Sequence, residues 1–355
     1  MPPREIEIRP ASDEDIPAVV ELVADRIGDE DSEEAEMVLR DPGFDRRRWF
    51  VAADGADVLA TAAVFPGQLT VGGVTVGAGT VEFVATQEAA EGRGLVRKLM
   101  DQIHATASSR GEMVQWIVGI TYFYRKFGYE YAIPVGGIHS LGVGEAPEMP
   151  SGWSVVEAPA ADIAAVAAAQ QAAGAQADVS LGATAQMWDF YRRSPAYRVL
   201  IAQGPGGPAF GRVYSYEDDR YLFDVVTGSA AGAAALASAA SEGGSKELTV
   251  MSRPAAAAHL EDLPERTESG DAYYVRAADP VALLEALRPE LGKRLTAADL
   301  DDEGDALISM YGSSIRFTYG NGRIGPMRRE GPVHGPISAG GSGVPPDQIV
   351  SLILG

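Results

Sequence analysis

At 355 residues with 46% hydrophobic content, the chain exceeds what one core usually organises, so two or three globular domains are expected. The absence of cysteine excludes a disulfide framework, a thiolate nucleophile and a cysteine-based zinc site, and the formal charge of −21 argues against binding to a nucleic-acid backbone. No apolar run is long and uncharged enough to span a bilayer and the N-terminus lacks an apolar signal core, which predicts a cytoplasmic protein without a membrane partner.

Ile6-Glu7-Ile8-Arg9-Pro10 alternates as a strand, Ser12 to Asp15 supplies a helix cap with acids in the first turn, and Ile16, Val19, Val20 and Val23 recur at helical spacing. Glu30, Asp31, Glu33 and Glu34 then form an acidic run, a pattern that is most often a solvated face. Arg48 to Ala53 and Val58 to Phe65 read as strands around the hairpin signal Asp54-Gly55. A strand over 80–86, a turn and amphipathic helix over 92–110 and a strand over 114–120 complete an α/β order.

Gly92-Arg93-Gly94-Leu95-Val96-Arg97 delivers a strand onto the first turn of a helix. Outward-facing N–H groups at a positive helix end suit a pyrophosphate, although such a turn also serves simply to pack a helix tightly on a sheet. It is neither a P-loop nor a three-glycine dinucleotide turn. Further on, Phe123-Tyr124-Arg125-Lys126-Phe127-Gly128-Tyr129 follows a second apolar run. Tyr122, Phe123, Tyr124, Phe127, Tyr129 and Tyr131 form an aromatic cluster that is either core or part of a site.

A Gly/Pro-rich connection over 142–150 opens a second segment, where residues 155–163 weakly echo residues 6–16 and suggest an internal duplicate. Its counterpart turn, Thr227-Gly228-Ser229-Ala230-Ala231-Gly232, has no Arg, which predicts a scaffold. A third segment offers a helix at 281–287, a hairpin over 306–319 and a final apolar helix at 347–354. The four histidines, His104, His139, His259 and His334, are scattered, and no metal is expected.

With the Gly-Arg turn and the Tyr124-x-x-Phe127-Gly128-Tyr129 motif in order, the chain resembles the GCN5-related N-acetyltransferases (GNAT), and among them the enhanced intracellular survival acetyltransferases of actinobacteria. The resemblance implies an α/β (α+β) fold: tandem GNAT-like mixed sheets flanked by helices, over 1–150 and 151–278, with a small sterol-carrier-like α+β domain over 279–355 that in the family continues past the final helix. It implies acetyl-CoA as co-substrate, held by Phe83, Val84 and Thr86 on the strand and by Glu91, Gly92, Arg93, Gly94, Leu95, Val96 and Arg97 at the turn. Tyr124 would protonate the sulfur, and the base would be the terminal carboxylate of Gly355; Glu82, on the same strand as Phe83 and Val84, is an alternative base if its side chain points to the cleft and is otherwise a solvated strand residue. The acceptor would be a small cationic amine such as an aminoglycoside, a polyamine or another amine natural product; an antibiotic self-resistance or natural-product tailoring role would suit an actinobacterial relative, and the assembly would be a homohexamer.

Two departures from the family turn stand out: Glu91 occupies a position the family gives to Arg or Gln, and Val96 replaces a small residue. They motivate a rival reading, a degenerate fold with altered or lost CoA use that binds another ligand or catalyses another reaction. A lipid- or small-ligand-binding assembly centred on the third domain is a further alternative.

Overall fold

The computed structural model describes residues 6–134, 138–216, 220–251, 265–266, 272–297, 303–310 and 312–332. Its first stretch runs β1 (Glu7–Pro10), α1 (Ile16–Arg26), α2 (Asp29–Arg40), β2 (Trp49–Asp54), β3 (Asp57–Val71), β4 (Val74–Thr86), α3 (Leu95–Ser109), β5 (Glu112–Ile117), a 3-10 turn at Phe123–Phe127, β6 (Glu130–Pro134) and β7 (Ile138–Leu141). The second contains β8 (Ser154–Glu157), α4 (Ile163–Gly174), β9 (Val179–Ala183), α5 (Ala185–Arg193), β10 (Tyr197–Gln203), β11 (Ala209–Tyr216), β12 (Arg220–Thr227), α6 (Ala230–Ala240), β13 (Glu247–Met251), β14 (Glu265–Arg266) and β15 (Ala272–Ala277). The third contains α7 (Pro280–Ala297), β16 (Gly304–Met310), β17 (Ser313–Gly320), β18 (Arg323–Ile324) and β19 (Arg328–Glu330).

Local chemistry explains the elements that frame the site. The Asp15 carboxylate accepts from the Ser12 amide at 2.8 Å and from Arg9 at 2.5 and 2.8 Å, fixing the entry to α1 and holding Asp15 down at about 2. Gly72 and Gly73, both at positive φ, turn β3 back into β4, so the strand expected over 80–86 is the end of a much longer hairpin. In α3, Leu95, Leu99, Met100, Ile103 and Ala107 fall on one face and are buried against the sheet.

The sheets do not follow contiguous segments. The first has the order β1-β2-β3-β4-β5-β15-β6 with β9 paired to β3, and the second the order β14-β7-β13-β12-β11-β10-β8. Thus β7, from before residue 150, lies in the second sheet, while β9 and β15, from between 151 and 278, complete the first. The smaller third sheet is built from β16, β17, β18 and β19. Leu283, Leu284 and Leu287 of α7 join Leu69, Val71, Val76 and Trp116 of the first sheet and Ile315 of the third in one core. The architecture is the mixed α/β arrangement of three sheets and flanking helices expected from the sequence. The helix expected at 347–354, together with Gly355, lies outside the described residues.

Candidate active site

The site begins with a defect in β4. Thr61 pairs with Ala85 and Ala63 with Glu82, so Phe83 and Val84 together oppose the single residue Ala62. Such a bulge takes an amide out of the ladder and re-aims it. Phe83 sits at φ 55, an unfavourable conformation for an aromatic residue that costs on the order of 1–3 kcal/mol. Packing holds it there: its ring stacks on Trp49 at 4.8 Å and lies 5.9 Å from that of Phe65, while the Trp49 indole donates to Thr61 Oγ1 at 2.7 Å.

A second irregularity opens the sheet beside the bulge. β4 and β5 run parallel, but their register ends at Thr80 opposite Trp116, and β4 continues to Thr86 without β5 alongside. The strand expected over 114–120 stops at Ile117, because Val118, Gly119 and Ile120 leave the sheet to line the gap. The result is a cleft of about 540 Å³ whose walls include Glu82, Phe83 and Val84 of β4, Tyr124, Asp31 and Glu34 of α2, and Tyr191 and Tyr197 from α5 and β10. A side chamber of about 310 Å³ shares Asp31, Glu34 and Tyr197 with it and adds Glu30, Arg212 and Tyr214.

Glu82 therefore faces the cleft rather than bulk solvent. Burial, with Glu34 and Asp31 as nearby like charges, pushes its carboxyl up to about 8. Burial also raises Glu34, although the Tyr197 hydroxyl donates to it at 2.8 Å, and it raises Asp31. Three carboxyls that penalise one another's ionisation are relieved by a cation placed between them. The acidic run of α2, which reads in isolation as a solvated face, supplies two of them.

At the turn before α3, Gly92 and Gly94 have φ of 73 and 75, and a Cβ built at either would meet nothing within 4 Å. The glycines thus answer to backbone conformation, and the space above them is open. Leu95 points into the core and Val96 packs against it, so these two turn residues offer a ligand backbone rather than side chain. Arg93 is exposed, and Arg97 lies over the Phe127 ring at 5.2 Å with Nη1 3.4 Å from the Lys126 carbonyl. Glu91 forms an ion pair with Arg26 of α1 at 2.5 Å. The Thr86 hydroxyl is buried without a hydrogen-bond partner among the described residues.

Tyr124 is 5% exposed, and its hydroxyl finds no hydrogen bond among the described residues. Burial, then the neighbouring Glu82 and Tyr274, holds the phenol well above its ordinary value, so it carries its proton throughout the physiological range. Gly119 permits this placement: a Cβ there would lie 2.8 Å from Tyr124 Cε2. The rest of the aromatic cluster is divided in role. The Tyr129 hydroxyl meets His104 Nε2 at 3.0 Å, and burial, then the Arg276 charge, presses His104 down to about 4, leaving a neutral, locally bonded histidine.

The turn at 227–232 contrasts with the one at 92–97. β12 and β13 flank α6 in parallel as β4 and β5 flank α3. There, however, a Cβ on Gly228 would lie 2.3 Å from Ala209 Cβ, and one on Gly232 would meet Ala209 and Trp153 at 2.5 and 3.0 Å. The Ser229 hydroxyl already accepts the Gly232 amide at 3.2 Å. Close packing and a self-made cap occupy the place that is open at Gly92 and Gly94.

The acetyltransferase (GNAT) domain family matches the sequence over residues 7–132, the stretch that contains the bulge, the turn and Tyr124. Residues 7–132 are a GNAT acetyltransferase domain. The fold extends the likeness beyond that domain. A GCN5-related N-acetyltransferase from Kribbella flavida is 17% identical with a TM-score of 0.68, covering 98% of this chain and 89% of the other. One from Anabaena variabilis is 15% identical with a TM-score of 0.68 and the same coverages. Eis1 from Mycobacterium abscessus is 18% identical with a TM-score of 0.58, over 98% of this chain and 90% of its own. At these identities the likeness is one of fold. No curated protein matches the sequence.

This stretch holds open space at Gly92 and Gly94, exposed Arg93 and Arg97, and, lining the cleft, a phenol without a hydrogen-bond partner among the described residues. The sequence missed Tyr274, which reaches the Tyr124 motif from β15, 150 residues downstream (274 less 124). Its only local signal is the alternating strand Tyr273-Tyr274-Val275-Arg276.

Proposed function

We propose that the chain is a CoA-dependent N-acyltransferase that acetylates a small cationic amine at the cleft between β4 and β5. The observation that carries the reading is the convergence of the Phe83–Val84 bulge, Glu82 and Tyr124 on one cavity, the first two on the strand that leads into the open glycine turn. Acetyl-CoA supplies the acetyl group as an activated thioester. The amides of the 92–97 turn and the Arg93 and Arg97 guanidinium groups bind the pyrophosphate. An amide freed by the bulge donates to the acetyl carbonyl oxygen, where negative charge grows as the amine attacks.

Asp31 and Glu34 draw the ammonium inward, and its charge favours ionised Glu82, which accepts the proton and leaves a neutral nucleophile. As the N–C bond forms and the C–S bond breaks, Tyr124 passes its proton to the sulfur and is reprotonated at the expense of the second proton of the attacking nitrogen, while the proton on Glu82 leaves to solvent. The Arg26 pair offsets part of the charge that Glu91 would present to phosphate, one of the two departures behind the degenerate reading.

A thermal-shift titration tests the reading. CoA and acetyl-CoA are expected to raise the melting temperature in a saturable way, because only the folded chain presents the turn. No shift at millimolar concentrations of either would overturn it.

The base assignment has its own signature in pH. With Glu82 held near 8, the active carboxylate grows as pH rises, so kcat/KM for the amine should climb roughly tenfold per unit below that value. Glu82→Gln is expected to lower the plateau by about 10² and to abolish that limb, measured with the same amine. A profile unchanged by the substitution would remove Glu82 from the mechanism.

A further inference from the structure

Tyr274 is fully buried in β15, between β5 and β6, with Ile117 opposite it on one side and Tyr131 on the other. The register with β6 slips between Tyr273 and Tyr274, with Ala132 of β6 as the extra residue, and the Tyr274 phenol reaches the loop that follows β5. Its oxygen accepts the Tyr122 amide, and its proton is directed to Tyr131 Oη at 2.6 Å, with the Ile120 carbonyl at 3.3 Å. This polarity matches the titration of the pair: burial and then donation to Tyr131 raise Tyr274 to about 12, while acceptance lowers Tyr131.

The segment held this way is strained. Tyr122 stands at φ 63 with a largely exposed ring, whose contacts are the Tyr131 ring, edge-on at 6.0 Å, and the Arg125 guanidinium at 5.0 Å. Immediately after it begins the 3-10 turn that carries Tyr124, and before it Gly119 lies against the Tyr124 ring. Tyr274 also touches Tyr124 directly, edge to face at 5.8 Å, and stacks on Tyr131 at 4.0 Å. One hydroxyl therefore reaches both ends of the 120–122 loop while its ring braces the phenol behind it.

We propose that Tyr274 is a positioning residue for the reaction: its hydroxyl clamps the strained 120–122 loop and so holds Tyr124 toward the sulfur. This rests on the assignment of Tyr124 as the acid. It also gives the strand exchange a consequence for catalysis, since a strand that follows the duplicate unit completes the first unit's site.

Tyr274→Phe keeps both ring contacts and removes the clamp. In the protein without ligand, amide hydrogen exchange over 118–124 is expected to accelerate about tenfold or more, with β4 and α3 unchanged. Tyr131→Phe should accelerate it less, because the Tyr274 proton can turn to the Ile120 carbonyl. Exchange unaltered in Tyr274→Phe would overturn the clamp.

For acetyl transfer, Tyr274→Phe is expected to lower kcat about 10- to 100-fold with CoA affinity kept within about twofold, and to add nothing in a Tyr124→Phe background. Multiplying effects in the double variant would overturn the action through Tyr124. Full turnover in Tyr124→Phe alone would instead sink the acid assignment and the relay with it, while the exchange data would still report on the clamp.

Discussion

Gly94→Asp is expected to abolish CoA binding in a chain that still folds. At φ 75 the position is one that Asp tolerates better than most residues, and the added Cβ meets no protein atom within 4 Å, so little opposes folding. The new carboxylate enters the space assigned to the pyrophosphate and meets it at the helix N-terminus as a like charge. Isothermal titration should show affinity at least about 100-fold weaker, roughly 3 kcal/mol. Undiminished binding would place the pyrophosphate elsewhere.

The second large effect belongs to Tyr124→Phe. The ring's edge contacts with Phe123, Tyr129 and Tyr274 survive the change, and the lost hydroxyl has no partner to strand among the described residues. Stability should therefore hold, while kcat at saturating acetyl-CoA falls by about 10²–10⁴, the range for a positioned general acid. An unchanged kcat would make Tyr124 an aromatic core residue and nothing more.

What the sequence made legible was local. The Gly92–Arg97 turn and the Tyr124 motif each announce themselves within a few residues, and the first resolves into glycines at positive φ before a helix whose buried face is spelled out at helical spacing. Glu91 shows the limit of such reading. Taken against the family turn it signals repulsion, but its charge is met by Arg26, 65 residues earlier on α1. The side chain of Glu82 was ambiguous because alternation along β4 breaks at the bulge, and only the register slip opposite Ala62 determines which way each residue faces. Tyr274 was hidden for a topological reason: a strand assigned by sequence order to one unit is hydrogen-bonded into another sheet.

The acceptor side follows the same pattern. The acidic run Glu30 to Glu34 is visible as a charge block, yet its meaning changes once Glu34 is seen half-buried against Tyr197 from β10, near Glu82. No property of α2 by itself distinguishes that from a solvated helix face.

The measurement that bears most directly on the whole account is product formation. The purified chain would be incubated with acetyl-CoA and a panel of polyamines and aminoglycosides at pH 8.5, following thiol release and the mass of each amine. The expected result is a mono- or polyacetylated amine formed in step with free thiol and missing in Gly94→Asp. Intact acetyl-CoA and unmodified amines throughout, under conditions where the chain is folded, would contradict it.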